Sequence, residues 1–179
     1  TQRAVAAVTE ALERFRLSDA ANAAYHFVWD ELADWYLEQV KARLYGTAAG
    51  SEAARSVLLS VFETALRLMH PVIPFITEEL WRYLPGKREP LLAETRWPAP
   101  NHRLLDPDAE DRFARVQALV TAVRSMRAEY GVPPSRTVRA YVQPATPTPL
   151  EAFTAEQQTI ERLAMIAPLM LDGAGGAGA

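Results

Sequence analysis

The sequence predicts a mainly α fold, a helical bundle followed by a small, truncated α/β appendage. Three observations carry this. Apolar residues recur at spacings of three and four through the segments before Gly131. Proline, glycine and short polar residues fall where such helices must begin or stop. After Gly131 the pattern changes once, to alternation over residues 137–143. With 179 residues, 49% of them hydrophobic, the chain can bury a sizeable core. The expected division is a helical bundle over 1–131, an α/β appendage over 132–171 and a linker over 172–179.

Val5, Val8, Leu12 and Phe15 give a first helix one apolar face. Ser18 can cap the next helix, with Asp19 in its first turn. Residues 19–44 read as that helix. At 100° per residue, Tyr25, Val28, Trp29, Leu32, Trp35, Tyr36 and Val40 spread over a wide arc. Such a helix is clamped between neighbours, with Trp29 and Trp35 in structural roles. Asp30, Asp34, Glu38 and Lys41 stack on the opposite side, and Phe27 falls there too, as an inter-element contact or an exposed platform. Gly46 to Gly50 end the helix.

Ser51 can cap a third helix that buries Val57, Leu58, Val61, Phe62, Ala65 and Met69. The run "HPVIPFITEELW" then makes a corner. Pro71 stops the helix, because it lacks the amide proton and clashes with the preceding turn. Pro74 suits the first turn of the next helix, where its missing donor is harmless. That helix, about 76–84, offers Leu80 and Trp81 to the core. His70 reads as a cap on the last carbonyls of the helix before it.

Residues 85–105 are irregular, pinned by Trp97. Asp106 and Pro107 open a helix that Gly131 closes, with Val116, Leu119, Val120, Val123, Met126 and Tyr130 on its apolar face. Arg127 projects close to Val123, at the core edge. Val138, Ala140 and Val142 mark one face of a strand. Its partner is either the "APLML" stretch or lies outside the sequence. Thr148 and Glu151 form a capping box on a last helix reaching about Met165.

Composition narrows the function. There is no cysteine, which removes disulfides, thiolate catalysis and Cys-ligated zinc. No apolar run of 18 residues occurs, and no basic start precedes an apolar stretch. The opening in mid-pattern and the Gly/Ala tail are expected of a piece of a longer polypeptide. Net charge is −3, yet Arg112, Arg115, Arg124, Arg127, Arg136 and Arg139 face a single acid, Glu129, between 112 and 139. Arginine forks suit phosphate and carboxylate, so if the chain meets a polyanion, this is the place to expect it. Lys41 and Arg43 add cations at the end of the aromatic helix.

Other chemistries have less support. The acid stripe of Asp30, Asp34 and Glu38 lacks the paired Glu-x-x-His of di-iron bundles and reads as a solvated face. His26, His70 and His102 have no ligand spacing. There is no glycine-rich phosphate loop and no nucleophile elbow. No catalytic residue and no metal ligand is assigned. The aromatic cluster Tyr25, Phe27, Trp29, Trp35 and Tyr36 is either core or a set of platforms for exposed RNA bases.

"FVWDELADWYLEQVK", "HPVIPFITEELW" and "VRSMRAEYGVPPSRTV" resemble class I aminoacyl-tRNA synthetases of the Val/Ile/Leu group, and most resemble the valyl branch. The resemblance runs over about residues 1–165. "KARLYG" is similar to the isoleucyl enzymes, so an isoleucyl or leucyl equivalent stays open. The resemblance implies a helical anticodon-binding domain of a valine–tRNA ligase, an ATP-dependent enzyme of the cytoplasm. ATP and Mg would belong to the full-length enzyme, with none in this segment. It implies tRNA(Val) as partner, catalytic and editing domains of the same chain before this segment, a coiled coil after it, and no membrane or DNA. Candidate tRNA contacts are Lys41, Arg43, Arg124, Arg127, Arg136, Arg139 and Phe27. Trp29, Trp35, His70, Pro71, Pro74 and Trp81 have structural roles. A helical module that only docks on its own catalytic domain is the alternative.

Overall fold

The computed structural model describes residues 1–45, 51–86, 89–144 and 148–171. They form two compact units, Thr1–Leu105 and Asp106–Ala179. The expected helix end at Gly46–Gly50 and the 172–179 linker lie outside the described residues, as does the Thr148 side chain of the expected capping box.

In the first unit, α1 (Gln2–Glu13) and α2 (Leu17–His26) are joined by a tight turn. Val5 and Val8 are buried as expected, but Phe15 is 88% exposed. It lies beyond α1 in a left-handed conformation, φ 57°. The amides of Phe15 and Arg16 close the turn on the carbonyls of Leu12 and Ala11, at 2.9 and 2.8 Å. Ser18 lies inside α2 and caps nothing. Arg16 occupies the cap position and pairs with Asp19 at 3.2 Å.

α2 continues into a π-helical segment, Phe27–Leu37, and then α3 (Glu38–Leu44). The hydrogen bonds of such a segment run i→i+5. Phe27 and Leu32 are five residues apart and both buried. On an α-helix they would stand about 140° apart; the wider turn brings both inward. Phe27 therefore belongs to the core, with Val5, Val8, Ala11, Ala20, Ala24, Leu32, Ala65 and Leu68. This corrects its placement on the charged side. Trp29 is the converse, exposed rather than buried in the core, while Trp35 is half-buried.

α4 (Ser51–Met69) begins at Ser51, which is a helical residue rather than a cap. Its buried positions are Ala54, Ala65, Leu66 and Leu68; Val57 is exposed. Pro71 follows the helix end and Pro74 opens α5 (Pro74–Tyr83), as expected of the corner. His70 does not cap α4. Its Nδ1 lies 2.8 Å from Thr77 Oγ1, whose oxygen is also 3.0 Å from the Ile73 carbonyl. Thr77 is fully buried, so this contact joins the two sides of the corner. Trp81 is buried with Leu66 and Leu92, under the Arg67 guanidinium at 5.4 Å. Leu80 stays about 39% exposed. Glu78 accepts the amides of Leu92 and Ala93, at 2.7 and 3.4 Å, at the start of a short 3₁₀ turn, Leu92–Glu94. Trp97 pins the irregular chain, donating to Thr9 Oγ1 at 2.8 Å.

The second unit begins with α6 (Pro107–Glu129), so the long helix expected in the bundle is packed with the α/β elements. Asp106 caps it, accepting the Ala109 amide at 2.9 Å. Gly131, φ 61°, closes it: the amides of Gly131 and Val132 return to the carbonyls of Ala128 and Arg127. Val116, Val120 and Val123 are buried, whereas Met126 and Tyr130 are exposed. β1 (Val138–Val142) pairs in parallel with β2 (Ile166–Leu171), the "APLML" stretch. Val138 faces Ile166 and Ala140 faces Leu169, so β2 carries one extra residue around Ala167–Pro168. Proline, with no amide to donate, is tolerated at such a bulge. The expected single last helix is two, α7 (Thr148–Ala155) and α8 (Gln157–Ala164), interrupted at Glu156.

Candidate nucleic-acid interface

The six arginines of 112–139 separate by what they touch. Arg127 is 8% exposed. Its Nη1 donates to the Met165 carbonyl at 3.0 Å. Its Nη2 meets the carbonyls of Pro133 at 3.0 Å and Arg136 at 2.7 Å. Arg124 is exposed but also donates, from Nε to the Leu163 carbonyl at 3.0 Å. Both guanidiniums sit at the C-terminal end of α8, where carbonyls lack helical partners and the dipole is negative. Arg127 is thus a structural tie and is withdrawn from the phosphate candidates.

Arg115 pairs with Asp111 at 2.6 Å, one helical turn back. Arg136 and Arg139 are exposed, and Arg139 shares the outward face of β1 with exposed Tyr141. In the first unit, Lys41 and Arg43 are exposed on α3. Lys41 pairs with Glu38. Burial raises the Tyr36 hydroxyl pKa, and the Arg43 charge pulls it partly back. The exposed candidates therefore form two sets, Lys41 with Arg43 in the first unit, and Arg136 with Arg139 in the second. Arg124, in the same unit as the second set, has its Nε engaged.

Of the acid stripe, Asp30 holds His26 Nδ1 at 2.6 Å and Glu38 holds Lys41. Among the described residues no three His, Asp or Glu side chains converge to hold a metal ion. The sequence also holds no glycine-rich phosphate loop.

Sequence periodicity misplaces Tyr25 and Trp29 as well as Phe27. Tyr25 and Trp29 are each about half exposed, with ring planes 6° apart and centroids at 6.2 Å. The five-residue spacing of Phe27 and Leu32 is the signal that could have placed them outside.

A mainly helical chain with unburied cations and aromatic rings has the make-up of a module that holds nucleic acid. Residues 1–142 match the family model described as the anticodon-binding domain of tRNA ligase, and the chain belongs to that family. It is 38% identical over 142 residues to the valine–tRNA ligase of Fervidobacterium nodosum, covering 79% of this chain and 16% of that protein. The valine–tRNA ligase of Geobacillus kaustophilus is 34% identical over 166 residues, covering 92% of this chain and 19% of the relative. That of Nocardia farcinica is 37% identical over 164 residues, covering 92% and 18%. The chain thus spans less than a fifth of the length of these relatives. None of the described helices is long and apolar enough to cross a membrane.

Proposed function

We propose that the chain is the anticodon-side, tRNA-holding segment of a valine–tRNA ligase. The whole enzyme would join valine to tRNA(Val) in the cytoplasm, with ATP and magnesium bound by other domains of the same polypeptide. The carrying observation is the match of residues 1–142 to the anticodon-binding family, together with relatives named valine–tRNA ligases. The exposed cations supply the physics. Phosphate contacts position an RNA, and each neutralised phosphate adds to the salt dependence of binding.

The test is equilibrium binding of a tRNA(Val) transcript to the 179-residue chain across a salt series. Lys41→Glu with Arg43→Glu, and separately Arg136→Glu with Arg139→Glu, should weaken binding. Each should flatten the log–log salt slope by about 0.7–0.9 for every phosphate no longer neutralised. Unchanged affinity and slope in both variants would sink the assignment of these cations. A transcript of tRNA(Ile) bound as well as tRNA(Val) counts against the valine branch.

One observation favours a second reading, a module that docks on its own catalytic domain. The outward side of α5 and the turn before it expose Val72, Phe75, Ile76 and Tyr83. Under that reading the chain leaves tRNA unbound even at low salt.

A further inference from the structure

We propose that Tyr25 and Trp29 form a stacking platform for an unpaired nucleobase of the bound RNA. This rests on the tRNA-holding reading and names a site within it. Large aromatic rings are normally buried for the area they remove from water. Here two neighbouring rings on one helical surface are left half exposed, 50% and 56%. Their planes are nearly parallel, 6° apart, with centroids at 6.2 Å. That is offset stacking, so each ring holds the other in one orientation and the pair leaves an outer face on which a further ring can continue the stack. His26 meets Tyr25 edge-on at 5.9 Å and is tied through Nδ1 to Asp30, which fixes the border of the face.

The backbone accounts for the exposure. The π segment turns Phe27 and Leu32 inward and leaves Trp29 outside. Such segments are rare, and they recur at functional sites. The charges select the part of a nucleic acid that fits. Residues 25–37 carry Asp30, Glu31 and Asp34 and no lysine or arginine. Phosphate is repelled there, while the neutral face of a base is not. A base inside a duplex has both faces covered, so an unpaired one is required. Cations return at Lys41 and Arg43, about 18 Å further along the helix axis at 1.5 Å per residue, somewhat less across a π segment. A single strand resting a base on Trp29 can there lay down a phosphate.

The experiment uses the 179-residue chain, a tRNA(Val) transcript and a hairpin carrying its anticodon loop. Binding is measured over a salt series, and tryptophan fluorescence is followed in parallel. Trp29→Ala should weaken binding about tenfold or more and leave the salt slope unchanged, since the same phosphates stay neutralised. Tyr25→Ala should act in the same direction. Trp29→Phe should keep most of the affinity but lose the quenching that RNA produces in the parent. Both residues are exposed, so circular dichroism melts should match the parent. Intact binding with unchanged affinity and quenching in Trp29→Ala overturns the platform and leaves the tRNA reading standing. A flattened salt slope in Trp29→Ala also overturns it, because the residue would then be acting on phosphates. A parent chain that neither binds RNA at low salt nor shows quenching overturns both.

Discussion

Arg127 on α6 and the carbonyl of Met165, where α8 runs into β2, meet at 3.0 Å. The same guanidinium reaches the carbonyls of Pro133 and Arg136, so one side chain ties a helix, a loop and a strand entry together. Guanidinium stays charged in proteins, and here carbonyl dipoles compensate it rather than a carboxylate. Arg127→Ala should destabilise the chain by about 3 kcal/mol in urea unfolding, because it strands several carbonyls at once. Arg127→Lys should recover little, since an ammonium cannot reproduce the planar fork. A loss below about 1 kcal/mol would contradict the tie.

Glu161 contributes a pH dependence to the same unit. It accepts the Leu169 amide at 2.9 Å and the Gln157 side chain at 3.1 Å. These bonds hold its carboxyl below its ordinary 4.5, the Leu169 amide contributing most. A lowered folded pKa gives stability that is present above the ordinary value. It is lost as pH falls through the lowered one. Unfolding curves from pH 7 to pH 3 should therefore show a smaller acid loss in Glu161→Gln than in the parent. Parallel curves would show that the contact contributes nothing.

Phe27 and Trp29, two positions apart, should respond oppositely to truncation. Phe27→Ala opens a cavity in the first unit's core and should cost about 3–5 kcal/mol. Trp29→Ala removes an exposed ring and should stay within about 0.5 kcal/mol of the parent. Chemical denaturation of both variants checks this. Equal losses would mean that the π segment does not divide core from surface.

Local rules of backbone chemistry are legible in the sequence, which is why the Pro71–Pro74 corner, the Asp106 cap and the Gly131 stop stand where they are expected. The alternation of Val138, Ala140 and Val142 marks its strand, and "APLML" is the partner. The angle between Arg127 and Val123 puts the arginine at the core edge. Its acceptors are beyond local reasoning, since Met165 lies 38 residues away. Phe27 and Trp29 are misplaced for a different reason. A constant 100° per residue holds only while hydrogen bonds run i→i+4, and between Phe27 and Leu37 they do not. His70 meets Thr77 rather than the last carbonyls of its helix, because Thr77 comes within reach only after the corner has turned the chain.

Phe15 offers a stability gain. A side chain with φ near +57° carries the left-handed penalty of about 1–2 kcal/mol, and its ring recovers little at 88% exposure. Phe15→Gly removes that penalty against a greater loss of backbone freedom on folding. The net expectation is a gain of about 0.5–1 kcal/mol, read as a rise in melting temperature. A lower melting temperature would mean that the ring has a contact worth more than the strain.

The five-residue step from Phe27 to Leu32 also makes this stretch sensitive to length. Delete one residue inside it and the step becomes four, which an ordinary helix closes without widening. Everything upstream then swings by about 100° against everything downstream. Tyr25 would then be turned relative to Lys41 and Arg43, although every one of those residues would still be present. At this place a frame-preserving deletion does more damage than most replacements, and the number of residues carries information beside their identity.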